Sequence, residues 1–419
     1  MSRKKLFIIA LVFVLLILAL SIFNNRRQGA ANVIDEGTYD EYEYQPEYPV
    51  HQDEPAPEHE DESEPEEPEQ TDPYEPYETT YELSEPPYES DTASPWHPIH
   101  FADMRAAQPL DADTPHGDIA VRHIRYINDN FYNRFPFSYQ EKRAAAWIIQ
   151  ELLAMGYTWD DIEVQEFDWD DISRFSRGWS IDNLAIFGVI INDYSYLRNT
   201  YLSQNVILTV PGQSDQVIVI GAHYDSVLYP GASDNASGMA LLLESAQRMR
   251  YIDNYYTLVY VFFGAEEAGL LGAHYYVSSL TAEEIDNIIF MINADVLFEG
   301  PYFIYAAGYR TANGTTGSNA ITQQWDDIAY QLGIREEIIL HPRTDGIYLG
   351  SDHLVFKDAG ITVMMMFGAY IYEDGRFAFR VLHSYRDCIH YIMERWPYKI
   401  EDSMRTFSIF LEELLLARY

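Results

Sequence analysis

Three short apolar runs in this chain each end in residues that bind metals or carry protons. Val217-Ile-Val-Ile-Gly-Ala222 leads into His223-Tyr224-Asp225. Leu258-Val-Tyr-Val-Phe-Phe263 leads through Gly264-Ala265 into Glu266-Glu267, and Ile288-Ile-Phe-Met-Ile292 leads into Asn293-Ala294-Asp295. Nearly continuous apolar runs of this length read as strands buried on both faces, which requires helices on each side of the sheet. The expected fold is therefore α/β, with a central, mostly parallel mixed sheet covered by helices on both faces. Ligands of such sheets bind in the crevice outside the carboxyl ends of the strands. Three strands then deliver His223, Glu267 and Asp295 to one edge. Glu266 and Glu267 repel each other, so a buried strand end holds both only if something positive is there.

Two further segments point to the same crevice. Gly231-Ala-Ser-Asp234-Asn-Ala-Ser-Gly238 is a glycine-flanked loop with one acidic residue, opening a helical stretch from Met239 to Arg250. Near the C-terminus the apolar run Thr362-Val-Met-Met-Met-Phe367 precedes His383-Ser-Tyr-Arg-Asp387. Imidazoles and carboxylates without thiolates suit zinc or a similar divalent ion at a catalytic site. One open catalytic zinc takes about three protein ligands, so five candidates suit two metals sharing a carboxylate, roughly 3.5–4 Å apart. Such a pair acidifies a water and polarises a carbonyl, and a nearby non-ligand carboxylate takes the proton. Glu266 and Glu267 supply one residue for each role.

The chain resembles the di-zinc exopeptidases of the aminopeptidase Y and aminopeptidase S type, in metallopeptidase clan MH. The matching motifs are His223-Tyr-Asp225-Ser226, Gly231 to Gly238, Glu266-Glu267-Ala-Gly269-Leu-Leu-Gly272, Asn293-Ala-Asp295, Ser351-Asp352-His353 and His383-Ser-Tyr-Arg-Asp387. They occur in the family's order across most of residues 110 to 419. The resemblance implies a zinc-exopeptidase-like fold and two Zn²⁺ per chain. It implies His223 and Asp295 on one zinc, Glu267 and His383 on the other, and Asp234 bridging them. It further implies Glu266 as general base and then acid, with Asp225 steadying His223. Some members carry a tyrosine just before the last ligand to hold the oxyanion. Leu382 stands there in this chain, and Tyr385 and Tyr348 are the candidates to replace it.

Each residue also has a plain structural interpretation. A lone His or Asp at a strand end is more often a satisfied polar group than a ligand. Asp234 could cap the helix that follows, and Glu266-Glu267 could form a solvated first helical turn. His353 reads as structural, because the family motif carries no metal there. His274 and His390 fall on expected helices without a role, and Asn293 orients its loop. The joint pattern, rather than any single member, favours the site.

The N-terminus is a different material. Eighteen apolar or small residues, Leu6 to Phe23, lie between Arg3-Lys4-Lys5 and Arg26-Arg27. That length is at the low end for a membrane span, and the basic flank marks the N-terminus as cytoplasmic. Residues 1–30 are read as an uncleaved anchor, with a cleaved signal peptide as the alternative. Residues 35–92 hold 23 Asp or Glu and ten Pro, with no Lys or Arg. Such a chain repels itself and lacks a core, so residues 31–95 are expected to form a disordered linker. At about 3 Å per residue the linker would extend on the order of 100 Å or more. It reads as a spacer, with cation or partner binding as a sharper alternative.

The net charge is −39, of which residues 93–419 carry −21. An acidic domain argues against nucleic acid as substrate and suits one with a free ammonium group. No phosphate-binding loop or dinucleotide fingerprint is present. Cys388 is the only cysteine, which excludes an internal disulfide and a thiolate zinc cluster. Helices are expected from about Asp118 to Asn133, Tyr139 to Met155 and Glu401 to Ala417. The segment Phe298 to Gly350 is expected to be turn-rich and to wall the substrate pocket. Residues 96–419 are thus expected to be a peptidase domain facing outward from the membrane, removing N-terminal residues from peptides. A carboxypeptidase, a glutaminyl cyclase or a non-catalytic receptor-like domain of the same clan is the alternative.

Overall fold

The computed structural model describes residues 114–175, 202–227, 229–312, 316–332, 350–371 and 377–419. The expected anchor and linker lie outside these residues. Among the described residues no helix is long and apolar enough to cross a membrane.

Two helices open the domain. α1 spans Asp118–Asn130 and buries Ile119, Ala120, Val121, Ile124 and Ile127 along one stripe. α2 spans Tyr139–Ala154, with Ser138 accepting from the Glu141 N–H at its start. It ends before Gly156, whose φ of 93° suits glycine at a helix C-terminus. Strand β1 (Ile162–Asp168) and the short helix α3 (Trp169–Ile172) follow. The core then alternates strand and helix: β2 (Leu202–Val210), β3 (Ser214–His223), α4 (Ser237–Met249), β4 (Tyr256–Phe263), α5 (Leu271–Ser279), α6 (Ala282–Asn287) and β5 (Ile288–Ala294). The last part comprises β6 (Tyr302–Arg310), β7 (Thr316–Gly317), α7 (Ala320–Gln331), α8 (His353–Asp358), β8 (Val363–Ile371), β9 (Phe377–Ala378), α9 (Ile389–Arg395) and α10 (Lys399–Leu416).

The strands form one sheet in the order β1-β2-β4-β3-β5-β8-β6-β7, with β9 beside β8. β4, β3, β5 and β8 run parallel at the centre. β1, β2, β6, β7 and β9 join antiparallel. The expectation of a mostly parallel sheet therefore holds only for the centre. Both faces are covered, as continuous apolar strands require. Ile218 and Ile220 of β3 pack into a core shared with α1, α2, α4 and α10, while Val219 faces a second core with α5 and α8.

The turn-rich interpretation of Phe298 to Gly350 is corrected. Tyr302–Arg310 is a nine-residue strand paired with β8, and Ala320–Gln331 is a helix capped at Asn319. Glycine and alanine inside β6 hid its period, and tertiary pairing overrode the weak local preference. Of this segment's described residues only Gly350 lines the central cavity, and residues 333–349 lie outside the described residues.

Candidate metal centre and active site

The central parallel strands end on one side and their carboxyl ends carry the candidate residues. His223 is the last residue of β3, and Asp295 directly follows β5. Glu266 and Glu267 lie in the tight loop between β4 and α5, after Ala265 at φ 53°. Asp234 sits in the turn between β3 and α4. His383, at φ 53°, lies on the loop between β9 and α9.

These five side chains form two trios that share one residue. His223 Nε2 lies 3.2 Å from Asp295 Oδ1 and 3.2 Å from Asp234 Oδ1. His383 Nε2 lies 3.0 Å from Asp234 Oδ2 and 3.2 Å from Glu267 Oε2. Asp234 thus turns one oxygen to each histidine. Ligand atoms of His223, Asp234 and Asp295, and of Asp234, Glu267 and His383, lie within 4.8 Å of one another. The structure therefore brings together the five residues singled out in the sequence as metal ligands.

Asp225 is fully buried and serves the neighbouring loop. Its Oδ1 accepts from the Glu266 N–H at 3.1 Å and its Oδ2 from the Glu267 N–H at 3.0 Å. It also lies 3.4 Å from His223 Nδ1. Glu266 is 8% exposed and the Glu267 side chain 6%, so neither glutamate forms a solvated helical turn, and α5 begins only at Leu271. Asp234 does not cap α4. Asn235 holds that turn instead, accepting from the Gly238 N–H at 2.8 Å and donating to the Ala294 carbonyl at 2.9 Å.

The electrostatics call for a cation. Burial, reinforced by Asp234, pushes Glu267 up to about 7. Burial also raises Glu266 well above the carboxylate range, with the His223 side chain opposing and Glu267 adding to the rise. Burial disfavours a charged His223, yet Asp295 and Glu266 hold its pKa well above the usual value. Asp234 resists burial and is depressed by its bonds to the two histidines. Glu267 Oε1 is buried without a hydrogen-bond partner. Two imidazoles against this many carboxylates leave the donor set short of positive charge, and an all nitrogen and oxygen set fits zinc.

The candidates open onto a cavity of about 340 Å³, lined on its polar side by His223, Asp234, Glu266, Glu267, Asp295 and His383. Leu270, Val296, Met365, Phe379 and Leu382 form its apolar side. Tyr385 is not among the lining residues and is 66% exposed beside Arg386. It therefore does not take the place of the missing tyrosine, and Tyr348 lies outside the described residues. His353 is buried and belongs to neither trio. His274 stacks on Phe175 at 4.1 Å. Asn293 donates to Ser351 Oγ at 2.8 Å, tying the end of β5 to the loop before α8.

Four supporting residues carry no sequence signal of their own for this role. Buried Glu141 accepts from the Ala265 N–H at 2.9 Å, the Phe137 N–H at 2.6 Å and Ser203 Oγ at 2.7 Å. Buried Arg134 donates to the carbonyls of Tyr224 at 2.6 Å, Pro230 at 2.6 Å and Gly231 at 3.1 Å, bracing the turn towards Asp234. Asp387 accepts from Ser233 and Asp234, and Glu299 from Arg380 and Val381.

Residues 205–408 match the model of Peptidase family M28. Aminopeptidase YwaD of Bacillus subtilis is 31% identical over 149 residues, covering 35% of this chain and 30% of that protein. Leupeptin-inactivating enzyme 1 of Streptomyces exfoliatus is 35% identical over 169 residues, covering 39% of this chain and 35% of that protein. The chain thus spans about a third of the length of these relatives. In fold, it is similar to a zinc aminopeptidase from Bacillus subtilis, with a TM-score of 0.54 and 16% identity over 73% of this chain and 96% of that one. A glutaminyl cyclase from an Acidobacteriales bacterium shares the fold at a TM-score of 0.51 and 17% identity, over 74% of this chain and 97% of that one. Through residues 205–408 the chain is similar to peptidase family M28.

Proposed function

We propose that this protein is a zinc-dependent aminopeptidase holding two zinc ions, one on His223 and Asp295 and one on Glu267 and His383, with Asp234 shared. The observation that supports this most is the division of Asp234 between the two histidines, one oxygen to each. When bound, the two zinc ions supply Lewis acidity, acidifying the attacking water and polarising the scissile carbonyl. Glu266 lies in the cavity wall outside both trios, free to act on protons. It removes the proton from the attacking water and passes it to the leaving amine. Asp225 keeps Glu266 and Glu267 pointing to their separate tasks by accepting both backbone N–H groups. The surplus of carboxylates favours a substrate with a free α-ammonium group. The apolar wall of Leu270, Val296, Met365, Phe379 and Leu382 favours an apolar N-terminal side chain.

Glu266→Gln tests the role of the base. Zinc content should stay near wild type while turnover falls by about 10²–10⁴-fold or more. Cleavage at a comparable rate would remove Glu266 from the reaction. Free and amino-terminally blocked peptides separate the readings within the clan: an aminopeptidase spares the blocked peptide, and a carboxypeptidase cuts it. A glutaminyl cyclase instead closes an N-terminal glutamine without hydrolysis. We also propose that residues 6–23 anchor the protein in the cell membrane with the peptidase domain outside. Recovery of the full-length protein in the soluble fraction of cells, or its resistance to external protease on intact cells, would count against that placement.

A further inference from the structure

His383 is the least sheltered of the five candidate ligands. It lies outside any helix or strand, and its side chain is 51% exposed, whereas those of His223, Asp234, Glu267 and Asp295 are 1%, 6%, 6% and 8% exposed. A loop residue this open samples many positions unless its backbone is tied down. The tie comes from buried carboxylates on other ligand loops. Glu299 Oε2 accepts from the Arg380 N–H at 2.6 Å and the Val381 N–H at 2.9 Å, just ahead of His383. Glu299 itself follows Asp295 on the loop after β5 and is fully buried. Beyond His383, Asp387 accepts from the Ser233 N–H at 2.6 Å and the Asp234 N–H at 3.0 Å. The Phe298 N–H closes the circuit by donating to Ser233 Oγ at 3.2 Å. The loops of Asp295, Asp234 and His383 are thereby bound in a ring, each through side-chain to backbone bonds.

Glu299 is an expensive component for a purely structural purpose. Its Oε1 is buried without a hydrogen-bond partner, and an unsatisfied buried oxygen costs about 1–3 kcal/mol. An apolar residue would avoid that penalty only by leaving the Arg380 and Val381 N–H groups without their acceptor, so the carboxylate is there for the backbone that it holds. We propose that Glu299 is the positioning residue for His383, fixing the backbone ahead of it so that Nε2 stays within reach of Asp234 and Glu267. This rests on the two-zinc reading above. His223, Asp234 and Asp295 form their position without contact to the Arg380–Val381 backbone. Losing the brace therefore weakens one zinc position and spares the other.

The test titrates zinc into the purified full-length protein against a chromophoric chelator. Wild type should bind two ions and His383→Ala one. Glu299→Leu should keep one ion at wild-type affinity and bind the second about 10–100-fold more weakly, the range typical for residues that orient metal ligands. Glu299→Gln, whose amide oxygen still accepts the two N–H bonds, should recover the second ion. If Glu299→Leu binds both ions as wild type does, weakens both alike, or is no worse than Glu299→Gln, the inference is overturned. One ion in wild type, or two in His383→Ala, instead removes the two-zinc reading itself. If the leucine variant does not fold, Glu299→Asp carries the same comparison, since it keeps the charge but withdraws the acceptor by one methylene.

Discussion

Glu266 and Glu267 are neighbours in the chain for which different tasks are proposed, and Asp225 holds the backbone of both. Each of its oxygens takes one of the two backbone N–H groups, so the turn after β4 has one orientation. Asp225→Asn keeps the shape but turns an NH₂ group toward one of those donors. Orienting residues of this kind are worth about 10–100-fold in activity or metal affinity. The variant is expected to lose kcat/KM within that range, and a change below about twofold would show that Asp225 orients nothing of consequence. Six of the seven candidate site residues stood out in the sequence because each lies beside an apolar run or in a glycine-flanked turn, whereas His383, well beyond Phe367, was singled out by the likeness of its motif to the family. Glu141, Glu299 and Asp387 were not legible as braces. They act on backbone groups 124, 81 and 153 positions away, and no local pattern records such a contact.

Among the elements, α4 and β5 approach each other closely. A Cβ on Gly238 would meet the Ala294 carbonyl oxygen at 2.1 Å. Gly238→Ala must therefore push α4 from the strand end, costing about 1–3 kcal/mol as overpacking usually does. Thermal or denaturant unfolding should show that loss, and an unchanged midpoint would mean that the helix shifts freely. The α1–α2 interface carries a pH dependence. Burial raises Glu151 of α2 to about 7 and lowers His123 of α1 to about 4. Glu151 favours its protonated folded form, so its contribution is full below pH 4.5 and is lost as pH rises to 7. His123 works the other way, losing stability as pH falls from 6.5 to 4. Glu151→Gln should therefore gain on wild type as pH rises from 5 to 8, by up to about 3 kcal/mol at 1.36 kcal/mol per pKa unit. Melting curves at the two pH values check the sign, and a difference that does not grow with pH would contradict it. The long helices and apolar strands were readable from periodicity and run length. β6 was not, because its Tyr, Ala and Gly residues look like a turn until β8 pairs with them.

At the scale of the molecule, separate loops meet around one cluster of carboxylates and two imidazoles. Zinc that binds the folded state and not the unfolded chain should raise the melting temperature, and chelation should lower it. The same sheet edge would serve other chemistries of this fold, so the fold does not decide the reaction, and the side chains at that edge must. The central claim is the shared carboxylate. Anomalous diffraction at the zinc edge, from crystals grown with zinc, tests it directly. Two peaks about 3.5–4 Å apart are expected, one against His223 and Asp295, the other against Glu267 and His383, with Asp234 reaching both. A single peak, or a pair away from Asp234, would contradict the account.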